Sequence, residues 1–163
     1  MGQNLAMADQ PEPSFQVFNE AQFRHLLGRE VQRAARYQDF LSLCLARTSY
    51  PGVLSPAIPA AVGRRTAELL RSTDVIGLID DVVAILLVHT ADSDAATIIE
   101  RLRSRLEAET FQAFPGTPAV RPILSLGLAS FPTDASVEAA LVAEAERRLA
   151  ESERNARRSS EAS

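Results

Sequence analysis

The chain has 163 residues, which at roughly 100 to 200 residues per domain makes one domain with short tails. Hydrophobic residues make up 46% and charged residues 23%, which excludes a disordered or collagen-like chain, and 6% aromatics without tryptophan point to an aliphatic core. A net charge of −4 gives no strong field toward nucleic acid or anionic lipid, so a general DNA coat is not expected.

Residues 1–14 are polar, carry Pro11 and Pro13, and lack the basic-then-apolar order of a signal peptide; they read as a flexible N-terminal tail. Asn19 with Gln22 three residues on resembles a capping box, and Phe23, Leu26, Leu27, Val31, Ala34 and Tyr37 follow at helical spacing. Leu41 to Ala46 is an apolar run of strand length, ended by Tyr50-Pro51-Gly52. Ser55-Pro56 starts a second helix, with Ile58, Val62, Leu69 and Leu70 on one face, running to Arg71. Val75 to Ile79 and Val82 to Val88 flank only Asp80-Asp81 and predict a hairpin without the usual turn glycine. Thr90 to Asp94 offers cap residues for a third helix through Ile98, Ile99, Leu102 and Leu106. Phe111 to Pro122, with three prolines and Gly116, is a loop, and Ile123 to Phe131 is the next strand. Val137, Leu141, Ala145 and Leu149 mark a last helix, and residues 154–163 read as a flexible C-terminal tail.

The order α-β-α-β-β-α-β-α predicts an α/β (α+β) fold with a ferredoxin-like βαββαβ core and extra N- and C-terminal helices, one domain over 15–153. Strands this continuously apolar are expected to be covered on both faces, the extra helices supplying the second cover. The longest apolar run, Val82 to Val88, is far short of the ~20 residues of a membrane helix, so the reading is a cytoplasmic protein without a membrane segment.

The chemistry available is narrow. All 17 basic residues are arginine, which excludes Schiff-base and phosphate-loop lysines. Cys44 is the one cysteine, so there is no internal disulfide, and inside an apolar strand it reads as an inert packing residue. His25 and His89 have no third ligand or nucleophile at a telling spacing, and Asp80-Asp81 reads as a solvated turn; no metal is assigned. The Arg147-Arg148 and Arg157-Arg158 pairs alternate with glutamates as a solvated helix face.

Six blocks carry a resemblance: Asn19-Glu20-Ala21-Gln22-Phe23; Glu30 with Arg33-Ala34-Ala35-Arg36-Tyr37; Leu41-Ser42-Leu43; Arg71-Ser72-Thr73-Asp74-Val75; Ala84-Ile85-Leu86-Leu87; and Ser125 to Pro132. In order and spacing, over about residues 15 to 155, they resemble the GGDEF, or diguanylate cyclase, family. The resemblance implies a nucleotide-cyclase-like palm, and active relatives make cyclic di-GMP from two GTP molecules on Mg²⁺ held by acidic side chains. It also implies that this chain departs from them. Both glycines of the signature loop are absent at Ile79 to Val83, its glutamate position is Val82 or Val83, and without glycine a backbone cannot approach a phosphate closely. Arg47-Thr48-Ser49 stands where relatives carry a metal-binding aspartate motif, Tyr50 to Ala60 lacks the Asn and Asp that read guanine, and Glu153 stands where a lysine touches the triphosphate.

One constellation matches the family. Arg71-x-x-Asp74 stands where many relatives carry the RxxD site that binds cyclic di-GMP, whose guanine an arginine fork and a carboxylate can read. The same pair has an ordinary explanation, an arginine complementing a helix C-terminus and an aspartate in the following turn. A second arginine would be needed, Arg64 or Arg65 being candidates, or one from another subunit in a homodimer. The expectation is therefore a non-catalytic bacterial GGDEF-like signalling module with no cofactor. It has cyclic di-GMP as its possible ligand at Arg71 and Asp74 and, having neither sensor nor output domain, acts by contact with a partner protein. The alternatives are a scaffolding domain with no nucleotide contact and an active cyclase. An RNA-binding module on the same core ranks last, because Leu41 to Ala46 and Ile123 to Ser130 contain no aromatic residue.

Overall fold

The computed structural model describes residues 16–162, so the tail assigned to residues 1–14 lies outside the described residues. Helix α1 (Glu20–Tyr37) begins where the capping box places it: Asn19 Oδ1 accepts from the Gln22 N–H at 2.9 Å and Gln22 Oε1 accepts from the Asn19 N–H at 3.0 Å. Phe23, Leu27, Val31 and Ala34 form its buried stripe, whereas Tyr37, at the stripe's margin in the last turn, is exposed.

Strand β1 (Val17–Phe18) precedes this helix; two residues are too few to show a period, and the sequence reading missed it. Strand β2 (Leu41–Ser49) runs three residues past the predicted end, because Arg47, Thr48 and Ser49 pair with Ser125, Leu124 and Ile123. Helix α2 (Ala57–Leu69) stops short of Arg71 and tolerates Pro59 in its first turn, where an N–H has no intrahelical acceptor. Strands β3 (Val75–Ile79) and β4 (Val82–Val88) form the predicted hairpin, with Ile79 opposite Val82. Asp80 supplies the left-handed residue (φ 55°) that glycine usually provides, a conformation aspartate tolerates. Helix α3 (Asp92–Glu107) has no side-chain cap; Asp92 and Asp94 instead lie in its first turn, favourable to the helix dipole. Strand β5 (Ile123–Phe131) matches the predicted range, and helix α4 (Glu138–Glu161) continues past residue 153 with exposed polar side chains.

The sheet order is β1-β3-β4-β2-β5. β1 runs parallel to β3 and every other pairing is antiparallel. Removing β1 leaves the βαββαβ core with β2 between β4 and β5. Alternation decides the layers: Leu41, Leu43 and Leu45 face α1 and α4, while Cys44 and Ala46 face α2 and α3. All seven residues of β4 are buried, as a central strand covered on both faces must be.

Two features fix α4 against the sheet. Gly127 lies directly beneath it, so that a Cβ there would stand 2.0 Å from Ala145 O. Several outward polar groups of edge strand β5 are also occupied by side chains: Leu124 N–H by Glu107, Leu126 N–H by Ser152, Ser130 N–H by Asp134 and Leu128 C=O by Arg148. Side chains filling edge bonds in this way hinder strand addition.

Candidate functional site

Two places hold the residues that the sequence singles out. The first is the hairpin end of the sheet. The pairing register sets Arg47 of β2 opposite Val82, immediately after the Asp80-Asp81 turn, and α4 lays Glu153 over the same spot. Arg47 Nη1 donates to Glu153 Oε1 at 2.6 Å, and Arg47 Nε donates to Asp81 Oδ1 at 3.4 Å. Glu153 is only 20% exposed, so its contact with Arg47 is screened less than a fully solvated pair. Beside this bridge a cleft of about 280 Å³ opens between α1 and α4, floored by Leu43, Leu45 and Val82.

The second place is the turn between α2 and β3, where Arg71 and Asp74 meet as one closed unit. Arg71 Nε and Nη2 donate to the two Asp74 carboxylate oxygens at 3.2 and 3.0 Å. The Arg71 backbone N–H also donates to Oδ2, at 3.2 Å. Arg71 Nη2 further donates to Val88 O and Thr90 Oγ1, each at 3.0 Å. The Asp74 side chain is 1% exposed and the Arg71 side chain 54% exposed, so of the two side chains Arg71 is the one that reaches solvent. It lines an open cavity of about 300 Å³ with His89, Thr90, Asp94, Thr97 and Ile98.

Neither arginine considered as a second contact lines that cavity. Arg65 is held by Glu109 and Glu68, and Arg64 faces a separate cavity beside Val17 and Phe18. Arg101 lines the neighbouring cavity, which shares Ile98 with that of Arg71. Its position one turn beyond Thr97 on α3 was the available signal, and it needed the helix to be docked before it meant anything.

Several other titratable groups are tied into the packing. His89 Nδ1 contacts the Asp39 carboxylate, which Arg33 also bonds; the Arg33 guanidinium holds that carboxyl below the usual aspartate range. Burial pushes the Cys44 thiol up to about 12, keeping it an unreactive thiol. On α4 the Arg147 guanidinium, assisted by Arg148, holds the Glu144 carboxyl down at about 2. Among the described residues no three His, Cys, Asp or Glu side chains converge as metal ligands, and no helix is long and apolar enough to cross a membrane.

No protein-family model and no curated protein matches the sequence. Solved structures do match. The GGDEF domain of YfiN (TpbB) from Pseudomonas aeruginosa superposes with a TM-score of 0.75 at 19% identity, over 86% of this chain and 92% of that one. The GGDEF domain of DgcB from Caulobacter crescentus, solved in complex with c-di-GMP, gives 0.68 at 15% identity, over 89% and 88%. The diguanylate cyclase SiaD from Pseudomonas aeruginosa, solved in complex with its activator SiaC, gives 0.66 at 20% identity, over 94% of this chain and 62% of that one. The five-stranded mixed sheet with four covering helices is thus the fold of GGDEF domains.

Proposed function

We propose that this chain is a non-catalytic GGDEF-like signalling module that regulates a partner protein by contact. The observation that carries the reading is the Arg47–Glu153 bridge. Magnesium-dependent cyclisation of GTP needs hard oxygen ligands for the metal and positive charge for the triphosphate. Here a guanidinium occupies the place of the ligand, and the carboxylates nearest it, Glu153 and Asp81, are both engaged by that guanidinium. The residues present do not fit a divalent cation, and Glu153 would repel a phosphate. Contact with a partner draws support from SiaD, a relative in fold that is solved with its activator.

Cyclic di-GMP is the ligand this reading favours at Arg71, because that half-exposed side chain lines an open cavity and DgcB of the same fold is solved with that dinucleotide. Asp74, being buried and fully engaged, acts here by holding the guanidinium in place and not by reading a base. Calorimetry tests both statements. Heat on adding cyclic di-GMP, lost in Arg71→Ala, supports the ligand, and absence of heat with wild type removes it and leaves a scaffolding domain. Tight binding of GTP with Mg²⁺ would contradict the non-catalytic reading itself.

A further inference from the structure

The cleft at the hairpin end combines an apolar floor with an excess of carboxylates at its rim. Phe23 and Leu27 of α1, Leu43 and Leu45 of β2 and Leu149 of α4 form its interior. Asp80, Asp81, Glu146 and Glu153 stand at the rim against Arg24 and Arg47. Both cations are already paired, Arg24 with Glu20 at 3.3 Å and Arg47 with Glu153 and Asp81. Asp80 on the hairpin and Glu146 on α4 are exposed, and among the described residues neither has an ion pair. The volume, about 280 Å³, sits at the lower limit of the ~300–1,000 Å³ of small-molecule sites, which sets a fragment-sized occupant.

We propose that this cleft binds a small organic cation, an apolar body the size of one fused ring system that carries a single ammonium. The body displaces water from over Leu45 and Leu149, and the ammonium takes the field of the two carboxylates that lack a partner, Asp80 and Glu146. A ligand of the same shape bearing a carboxylate meets the opposite field. The proposal goes beyond the non-catalytic reading and stands apart from it: turnover of GTP would contradict that reading, whereas probe selectivity decides this one.

The test uses three indoles of one shape and different charge, tryptamine, indole and indole-3-propionate, titrated at neutral pH into the ¹⁵N-labelled full chain and followed by amide chemical shifts. Tryptamine is expected to give saturable shifts around Asp80 to Val82 and Glu146 to Ala150. It should bind about tenfold more tightly than indole-3-propionate, the factor that one or two exposed ion pairs supply. Asp80→Asn with Glu146→Gln should abolish that preference, asparagine keeping the left-handed turn. Ala150→Phe, which fills the cleft from a half-buried helix position, should abolish binding of all three with the thermal midpoint little changed. Equal binding of the three probes, absence of saturable shifts, or binding that survives Ala150→Phe would each overturn the proposal. Self-association that Ala150→Phe removes, without probe binding, would make the cleft an interface between copies and overturn it too.

Discussion

Replacing Gly127 with alanine examines how the sheet and α4 are fitted together. The added Cβ would stand 2.0 Å from Ala145 O and 2.5 Å from Leu149 N, both backbone atoms of one helix. The helix must back off by at least about 1 Å before the nearer contact reaches 3.0 Å, below which real Cβ atoms are essentially never found. No rotamer change relieves this, and moving α4 uncovers Leu141, Ala145 and Leu149, all now at most 5% exposed. Overpacking costs ~1–3 kcal/mol and occasionally more, and an obstruction made of backbone belongs at the upper end, about 3 kcal/mol. For a domain of this size, that lowers the thermal midpoint by roughly 6–12 °C. Gly28→Ala is the control: its Cβ would meet only the tip of the Glu138 side chain, which can swing away, and mid-helix alanine gains about 0.5–1 kcal/mol over glycine. Circular-dichroism melts of both variants check the pair. A Gly127→Ala midpoint within about 1 °C of wild type would refute the packing argument.

Other expectations follow from single groups. Ser42 Oγ bonds Ser130 Oγ at 2.7 Å and Thr90 O at 3.0 Å in a fully buried chain. Ser42→Ala should therefore cost about 1–3 kcal/mol in urea unfolding, and Ser42→Ala with Ser130→Ala clearly less than the sum of the two single changes. Arg71→Ala strips the buried Asp74 carboxylate of its guanidinium and should also destabilise by about 1–3 kcal/mol, whether or not a ligand binds; an unchanged urea midpoint would count against the closed pair. Glu144 titrates near 2 in the fold against an ordinary 4.5, so its contribution is present above pH 4.5 and is lost as pH falls toward 2. The stability gap between wild type and Glu144→Gln should accordingly close over that window, and a gap unchanged from pH 6 to 2.5 would refute the ion-pair account.

Much of the architecture was legible because its strands are uninterrupted apolar runs and its helices carry regular stripes. The wholly buried Val82–Val88 and the capping box at Asn19 are the clearest cases. What escaped has physical reasons. Val17–Phe18 is a strand only because β3 pairs with it, and Arg47 to Ser49 look polar yet extend β2 through pairing with β5. The site divides the same way. Arg71 and Asp74, three residues apart, could be paired by spacing, but the contacts of Arg71 with Val88 O and Thr90 depend on tertiary packing. Arg47 and Glu153 each stood out as an ill-suited residue in the sequence. That they bond one another across 106 residues depends on the β2 register and on α4 settling over Gly127, and no local pattern encodes either.

The most direct measurement is incubation of the purified chain with GTP and Mg²⁺, with cyclic di-GMP read by mass spectrometry over hours at micromolar protein. The proposed function expects no product above the protein-free control, because Arg47 and Glu153 bond each other where the resemblance to diguanylate cyclases puts the metal ligand and the triphosphate contact. Cyclic di-GMP formed by wild type and lost in Asp80→Ala with Asp81→Ala would place a working metal centre at the hairpin and contradict it.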